Sequence, residues 1–224
     1  MKTVEDDRDC AADERRCRGR PQMRSDDDTR TLIYEAARHE FSEKGFAATS
    51  MENVARRAGV STKTVYRLIA NKAALFEAMV IYRIDYFVSA VNLSACHQQD
   101  VEVALCAALR VCGELALDPE VVALQRMILA ESEKFPEIVE TFYKNAVRRT
   151  VGAMASFLKL QQKRGAIRLD DADEAAGMLL GMMMYEPQRQ SWFAKKPLPD
   201  RDAIAARAAT CAALFLRGSR VRNP

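Results

Sequence analysis

The sequence is poor in the residues from which catalytic and metal centres are usually built. Histidine occurs only as His39 and His97, and tryptophan only as Trp192. Six cysteines (Cys10, Cys17, Cys96, Cys106, Cys112 and Cys211) show no Cys-x-x-Cys spacing, so no metal is expected. There is no Ser-His-Asp arrangement, no glycine-rich phosphate loop and no carboxylate pair in a matched setting. Neither enzymatic activity nor a cofactor is therefore expected. No apolar run approaches the roughly 18 residues of a membrane span, and the N-terminus is densely charged instead of basic and then apolar. A cytoplasmic protein without a membrane partner is expected. Strand-like alternation is also missing, and no internal repeat appears, which leaves an all-α fold.

What the chain does have is helical periodicity and an uneven spread of charge. With 224 residues and 49% hydrophobic content, it is long enough for one sizeable core, or for a small domain joined to a larger one. The net charge is only +3, but residues 29–72 carry eight basic side chains against four acidic ones. Concentrated positive charge suits a polyanionic partner.

Inside that basic region, Thr49 to Lys72 reads as two short helices joined by a tight turn. Thr49 with Glu52 forms a capping box for the first helix, whose inner face holds Met51, Val54, Ala55 and Ala58. Gly59 supplies the positive φ of a sharp reversal, Val60 plugs the core and the Ser61 hydroxyl caps the next helix. In that second helix Val65, Leu68 and Ile69 face inward, leaving Thr62, Lys63, Tyr66 and Arg67 outward. These are groups that bond phosphates and base edges. Upstream, Leu32, Ile33, Ala36, Ala37 and Phe41 recur at helical spacing from Thr29 to Lys44, ending at Gly45 with Phe46 folded back. The flanking His39 reads as structural.

Several motifs agree in order and spacing between Phe41 and Phe76: Phe-x-x-x-Gly-Phe, Thr-Ser, Val-Ala-x-x-Ala-Gly-Val-Ser, Thr-Val-Tyr and Asn-Lys-x-x-Leu-Phe. Together they closely resemble the DNA-binding domain of the TetR/AcrR family of transcriptional regulators. The segment from Leu117 to Phe193, with Leu-Ala-Glu-Ser-Glu-Lys-Phe-Pro-Glu and Leu-Leu-Gly-Met, is similar to the AefR-like regulatory domain of the same family. The resemblance implies a homodimer that binds a palindromic double-stranded operator and answers to a small-molecule effector. On this reading Thr62 and Lys63 address base edges with help from Thr64 or Arg67, while Thr49, Ser50, Ser61, Thr64, Tyr66 and Lys72 hold the backbone. Two departures stand out. Lys63 replaces a Gly, Ala or Gln common in the family and is expected to change base preference. Leu68 and Ile69 replace an aromatic or His followed by Phe, so the phosphate contact made from the position of Leu68 is expected to be missing.

The expected organisation is a flexible extension over residues 1–28, a helix-turn-helix domain over 29–75, a larger helical domain over 76–217 and a short basic tail over 218–224. Within the extension, Arg18-Gly19-Arg20-Pro21 resembles an AT-hook core, and Arg18 and Arg20 are candidates for a minor-groove arm. Asn71 caps a helix that leaves the DNA-binding unit. Further helices follow over roughly 100–116, after Asp118-Pro119, after Phe135-Pro136 as one long helix, after Asp170 or Asp171, and from about Asp200 to Leu216.

A ligand pocket is expected among Met127, Phe135, Phe142, Tyr143, Met154, Phe157 and Met183, with Trp192 at its edge. Few charges point to an apolar or aromatic ligand. Gly177 and Gly181 form a small-residue face beside a methionine cluster. With Met184 and with Ile204, Ala208, Leu214 and Phe215 of the last helix, they are expected to build the dimer interface. Two other readings stay open: an all-α ligand-binding or catalytic protein with no specific DNA binding, and a regulator switched by thiol oxidation.

Overall fold

In the computed structural model, residues 24–97 and 100–219 are described, apart from the side chains of residues 93–97. Ten α-helices and one π-helical turn account for the regular structure of these residues. The first, α1 (Asp26–Ala48), starts where Ser25 Oγ accepts a hydrogen bond from the Asp28 amide. Three aspartates fill its first turn, where the helix dipole favours negative charge. Gly45, at φ 84°, interrupts it and lets Phe46 turn back onto Phe41.

Helix α2 (Met51–Ala58) is capped by Ser50, whose Oγ accepts from the Asn53 amide at 3.2 Å. The expected capping box on Thr49 does not form. Thr49 is 3% exposed and its hydroxyl donates to the carbonyls of Glu40 and Gly45, because the α1 exit turns it inward. Gly59 closes α2 at φ 67°, and α3 (Thr62–Leu68) follows with Ser61 Oγ accepting from the Thr64 amide at 3.0 Å.

Helix α4 (Lys72–His97) begins with Asn71 accepting from the Ala74 amide. Helices α5 (Val101–Ala116), α6 (Pro119–Ala130) and α9 (Ala172–Phe193) start at Asp100, Asp118 and Asp171, each accepting two backbone amides. The helix after Phe135 is divided into α7 (Pro136–Phe142), a π turn (Tyr143–Val147) and α8 (Arg148–Lys163). Helix α10 (Arg201–Ser219) completes the set.

Two hydrophobic cores result, and α4 threads both. Its Leu75, Phe76, Met79, Val80 and Ile84 belong to the first, its Phe87 and Val91 to the second. The first core is not confined to the N-terminal helices. Leu124, Met127 and Ile128 of α6 and Ile138 of α7 pack into it, and Glu131 Oε2 accepts the Ala47 amide at 2.9 Å. The N-terminal head is thus seated on α6, so a boundary near residue 75 divides the sequence but not the packing.

Within α9, Pro187 has no N–H to offer the Met183 carbonyl. Arg207 of α10 supplies the missing donor: Nε bonds Met183 O at 2.8 Å and Nη2 bonds Met182 O at 2.6 Å. A charged donor on a freed carbonyl stabilises the break and ties α9 to α10.

Candidate nucleic-acid interface and effector cavity

Helix α3 is short, and its aim is set by what it buries. Val65 is fully enclosed and Ile69 is 5% exposed, so the opposite side must face solvent. Lys63, Tyr66 and Arg67 lie on that side, with Thr62 and Thr64 at its flanks. The Ser61 and Thr64 hydroxyls are 2.8 Å apart, which makes the leading edge of α3 a pair of mutually oriented hydroxyls. Arg30 Nη1 donates to the Leu68 carbonyl at 2.9 Å and fixes the other end. Lys63 is exposed and makes no hydrogen bond or ion pair with a described residue. Its charge is available to a partner.

The supporting charges are mostly committed. Buried Glu40 accepts from Lys44 at 2.6 Å and from Arg57 at 2.8 Å, and Arg57 also reaches Glu43. Burial tends to raise the Glu40 pKa, but the Lys44 and Arg57 hydrogen bonds outweigh it and hold the carboxyl below its usual 4.5. Arg67 is folded back on Asp26 through two hydrogen bonds of 2.7 and 2.8 Å. That pairing lowers the Asp26 pKa and raises that of Arg67. In this state Arg67 does not project from the reading face.

Two of the expected DNA contacts are corrected by these bonds. Thr49 is buried with its hydroxyl engaged inside the head. Lys72, assigned as a phosphate clamp, places Nζ 2.7 Å from Phe46 O, 3.0 Å from Thr49 O and 3.3 Å from Ala47 O. It also lies 4.6 Å from the centre of the Phe46 ring. Burial lowers its pKa against the opposing pull of Glu131. It clasps the end of α1 to the start of α4. Ser50 is half-buried with its Oγ used as the α2 cap. Arg18 and Arg20 lie outside the described residues.

Below the head, a cavity of about 340 Å³ opens between α4, α5, α6, α8, α9 and the π turn, with single residues of α1 and α7 at its wall. Its wall is largely apolar, with Phe87, Leu124, Phe142, Val151 and Met184 among the lining residues. Of the expected pocket residues only Phe142 lines it. Met154, Phe157 and Met183 are fully packed inside the second core, and Met127 and Phe135 belong to the first. Tyr143 is 58% exposed, and Trp192 is half-buried near the end of α9 with its indole N–H unpartnered. Large apolar side chains fill space, so they mark the core more often than its gaps.

The polar lining was missed by sequence reasoning: Arg38, Arg83, Gln125, Thr150 and Gln188. A signal existed at Arg83, a charge in the stripe Met79, Val80, Ile84 and Phe87. Gln188 Nε2 is held by Ala116 O and Gln125 Oε1.

The expected dimer residues also separate. Ile204 and Ala208 are 5% and 1% exposed inside their own protomer, too buried to meet a partner. Phe215 packs partly on the second core. Gly177, Gly181 and Met184 line the cavity, the two glycines also being exposed. Leu214 remains outward. Burial raises the thiol pKa of Cys106, Cys112 and Cys211, which disfavours the reactive thiolate at all three. No helix among the described residues is long and apolar enough to cross a membrane.

A capped helix-turn-helix on a larger helical body with a largely apolar cavity defines a DNA-binding transcriptional regulator. The signature described as bacterial regulatory proteins, tetR family, matches residues 33–79. That of the AefR-like transcriptional repressor C-terminal domain matches residues 104–218. The chain belongs to the TetR family of transcriptional regulators.

Among solved structures, a TetR-family regulator from Mesorhizobium loti MAFF303099 is 26% identical with a TM-score of 0.75, over 89% of this chain and 100% of its own. The flavonoid-responsive regulator FrrA is 27% identical with a TM-score of 0.65, over 88% of this chain and 100% of its own. A TetR-family regulator from Pseudomonas syringae pv. tomato shares the fold at 21% identity and a TM-score of 0.65, over 88% of this chain and 99% of its own. No curated protein matches the chain.

Proposed function

We propose that the protein is a homodimeric cytoplasmic repressor that leaves a palindromic operator when a small apolar or aromatic ligand fills the cavity. The observation that carries this reading is the outward face of α3, where exposed Lys63 has no described partner beside Tyr66 and the hydroxyl edge of Ser61, Thr62 and Thr64. One such helix grips too few bases for a specific site, and two reading helices in successive major grooves need centres about 34–36 Å apart.

A dimer surface has support in α9 and α10, which expose Met178 (62%), Tyr185 (61%) and Leu214 (52%) beside the small Ala206, Ala209 and Thr210. The cavity touches α4 and α6, the two body helices most deeply packed into the head core. A ligand preferring a different setting of those helices shifts the spacing of the two heads, and operator weakens ligand binding by the same factor. FrrA is named for its response to flavonoids; that name supports an aromatic effector here.

Fluorescence anisotropy on palindromes from the protein's own promoter tests the reading. Affinity falls steeply from about 50 to 200 mM salt because phosphate contacts release counterions. Lys63→Ala changes the preferred bases by about 1–3 kcal/mol of discrimination. A salt-independent affinity, or a Lys63→Ala protein selecting the same bases as the wild type, ends the proposal.

A further inference from the structure

The cavity's lining contains two arginines and no carboxylate. Their situations differ. Arg38 is neutralised where it stands, with Glu120 at 2.6 Å, Glu35 at 2.8 Å and Asp118 at 3.8 Å. Arg83 has no hydrogen bond or ion pair among the described residues, and its Nε is buried without a partner. The acids of the neighbouring cleft on its other side leave it unmatched: Glu35 is spent on Arg38, Asp85 pairs with Arg149, and Glu114 faces solvent. Cys112 in the same cavity has its thiol pKa raised by burial and supplies no counter-charge. Arg83 borders both the apolar cavity and that cleft, so an oxyanion in the cavity meets a charge with no partner among the described residues, whose planar fork matches a carboxylate through two parallel hydrogen bonds.

We infer that the cavity takes an amphipathic organic acid, with an apolar aromatic or acyl body among Phe87, Leu124, Phe142 and Met184 and one carboxylate on Arg83. The inference rests on the effector reading above and narrows its ligand to a monoanion. At about 340 Å³ the cavity lies at the small end of the ~300–1,000 Å³ range of ligand sites, which suits a body of one or two rings. Gln125 and Gln188, already bonded to each other, line the same wall and offer their remaining amide groups to a second polar handle. Arg83 lies on α4, the helix whose first residue clasps the head, so the anion acts directly on the element joining cavity to DNA.

Calorimetry on the full-length protein with 2-naphthoate and its uncharged match 2-naphthamide tests the assignment. The acid binds the wild type more tightly by roughly 10- to 100-fold, the range of a charged hydrogen-bonded pair. Arg83→Gln brings the two ligands to similar affinity while naphthamide still binds, which reports an intact cavity. Arg83→Lys keeps part of the preference, since charge remains without the fork. Equal or tighter binding of the amide by the wild type overturns the inference, as does a preserved acid preference in Arg83→Gln or failure of both probes to bind at millimolar concentration. Operator binding measured in parallel separates the two readings: acid preference without operator binding removes the regulator and keeps the site, and the converse result removes only the site.

Discussion

The head and the body of this protein solve the packing problem in different ways. The head is held by directed bonds between named atoms. Lys72 ties three carbonyls, Thr49 ties two, Arg57 spans Glu40 and Glu43, and Arg30 secures the end of α3. Its centre is an aromatic cluster in which Phe41, Phe46 and Phe76 meet at 5.5–5.9 Å and Phe46 meets Phe135 at 5.1 Å. The body is built largely from alanine and leucine and borders a cavity. A surface that must match the spacing of DNA bases needs fixed geometry. One that must admit and release a ligand can leave volume unfilled, at the cost of lost dispersion contacts around the void.

The largest expected effect tests the head's rigidity. Phe76→Ala removes the ring that α4 contributes to the aromatic cluster, and chemical denaturation should show a loss of about 3–5 kcal/mol. A loss below 1 kcal/mol would mean that the cluster is not the head's support. Next, Lys72→Ala should cost about 1.5–3 kcal/mol of stability, because a charged donor to several carbonyls is lost. Weaker DNA binding with an unchanged melting curve would return Lys72 to the phosphate role.

Acid provides a third comparison. Glu40 has a folded pKa below its unfolded 4.5, so its contribution is fully present above that value and is lost as pH falls through the folded one. Melting temperature should therefore drop below about pH 4.5 more steeply in the wild type than in Glu40→Gln. Parallel curves for the two proteins would exclude the Lys44–Glu40–Arg57 brace as the cause. The smallest effect concerns the body. A Cβ at Gly177 would meet no atom within 4 Å, so Gly177→Ala should stabilise α9 by about 0.5–1 kcal/mol through helix propensity while narrowing the cavity. Destabilisation there would reveal a close neighbour on that face.

Legibility in the sequence followed the same division. Ser61, Gly59, Asn71, Asp118 and the Asp170-Asp171 pair announced turns and helix starts because a cap acts within four residues of itself. The outward set on α3 was readable because Val65 and Ile69 fix the helix's orientation. Lys72 could not be placed from the sequence since its partner Phe46 O lies 26 residues away and only the folded head brings it close, and Thr49 could not because the α1 exit turns its hydroxyl onto Gly45 O and Glu40 O. The cavity was out of reach of the sequence because size and hydrophobicity find the residues that fill a core, whereas a gap depends on how several distant helices meet.

Taken alone, the sequence determined an all-α chain with a helix-turn-helix of the TetR type, for helical period, caps and positive-φ glycines are local properties written in consecutive residues. Tertiary structure alone decided which basic side chains are spent inside the head, where the body leaves a void and that Arg83 borders it with no ion pair among the described residues. Those depend on contacts between distant helices, and the free energy of a buried charge is set by what surrounds it, not by its neighbours along the chain.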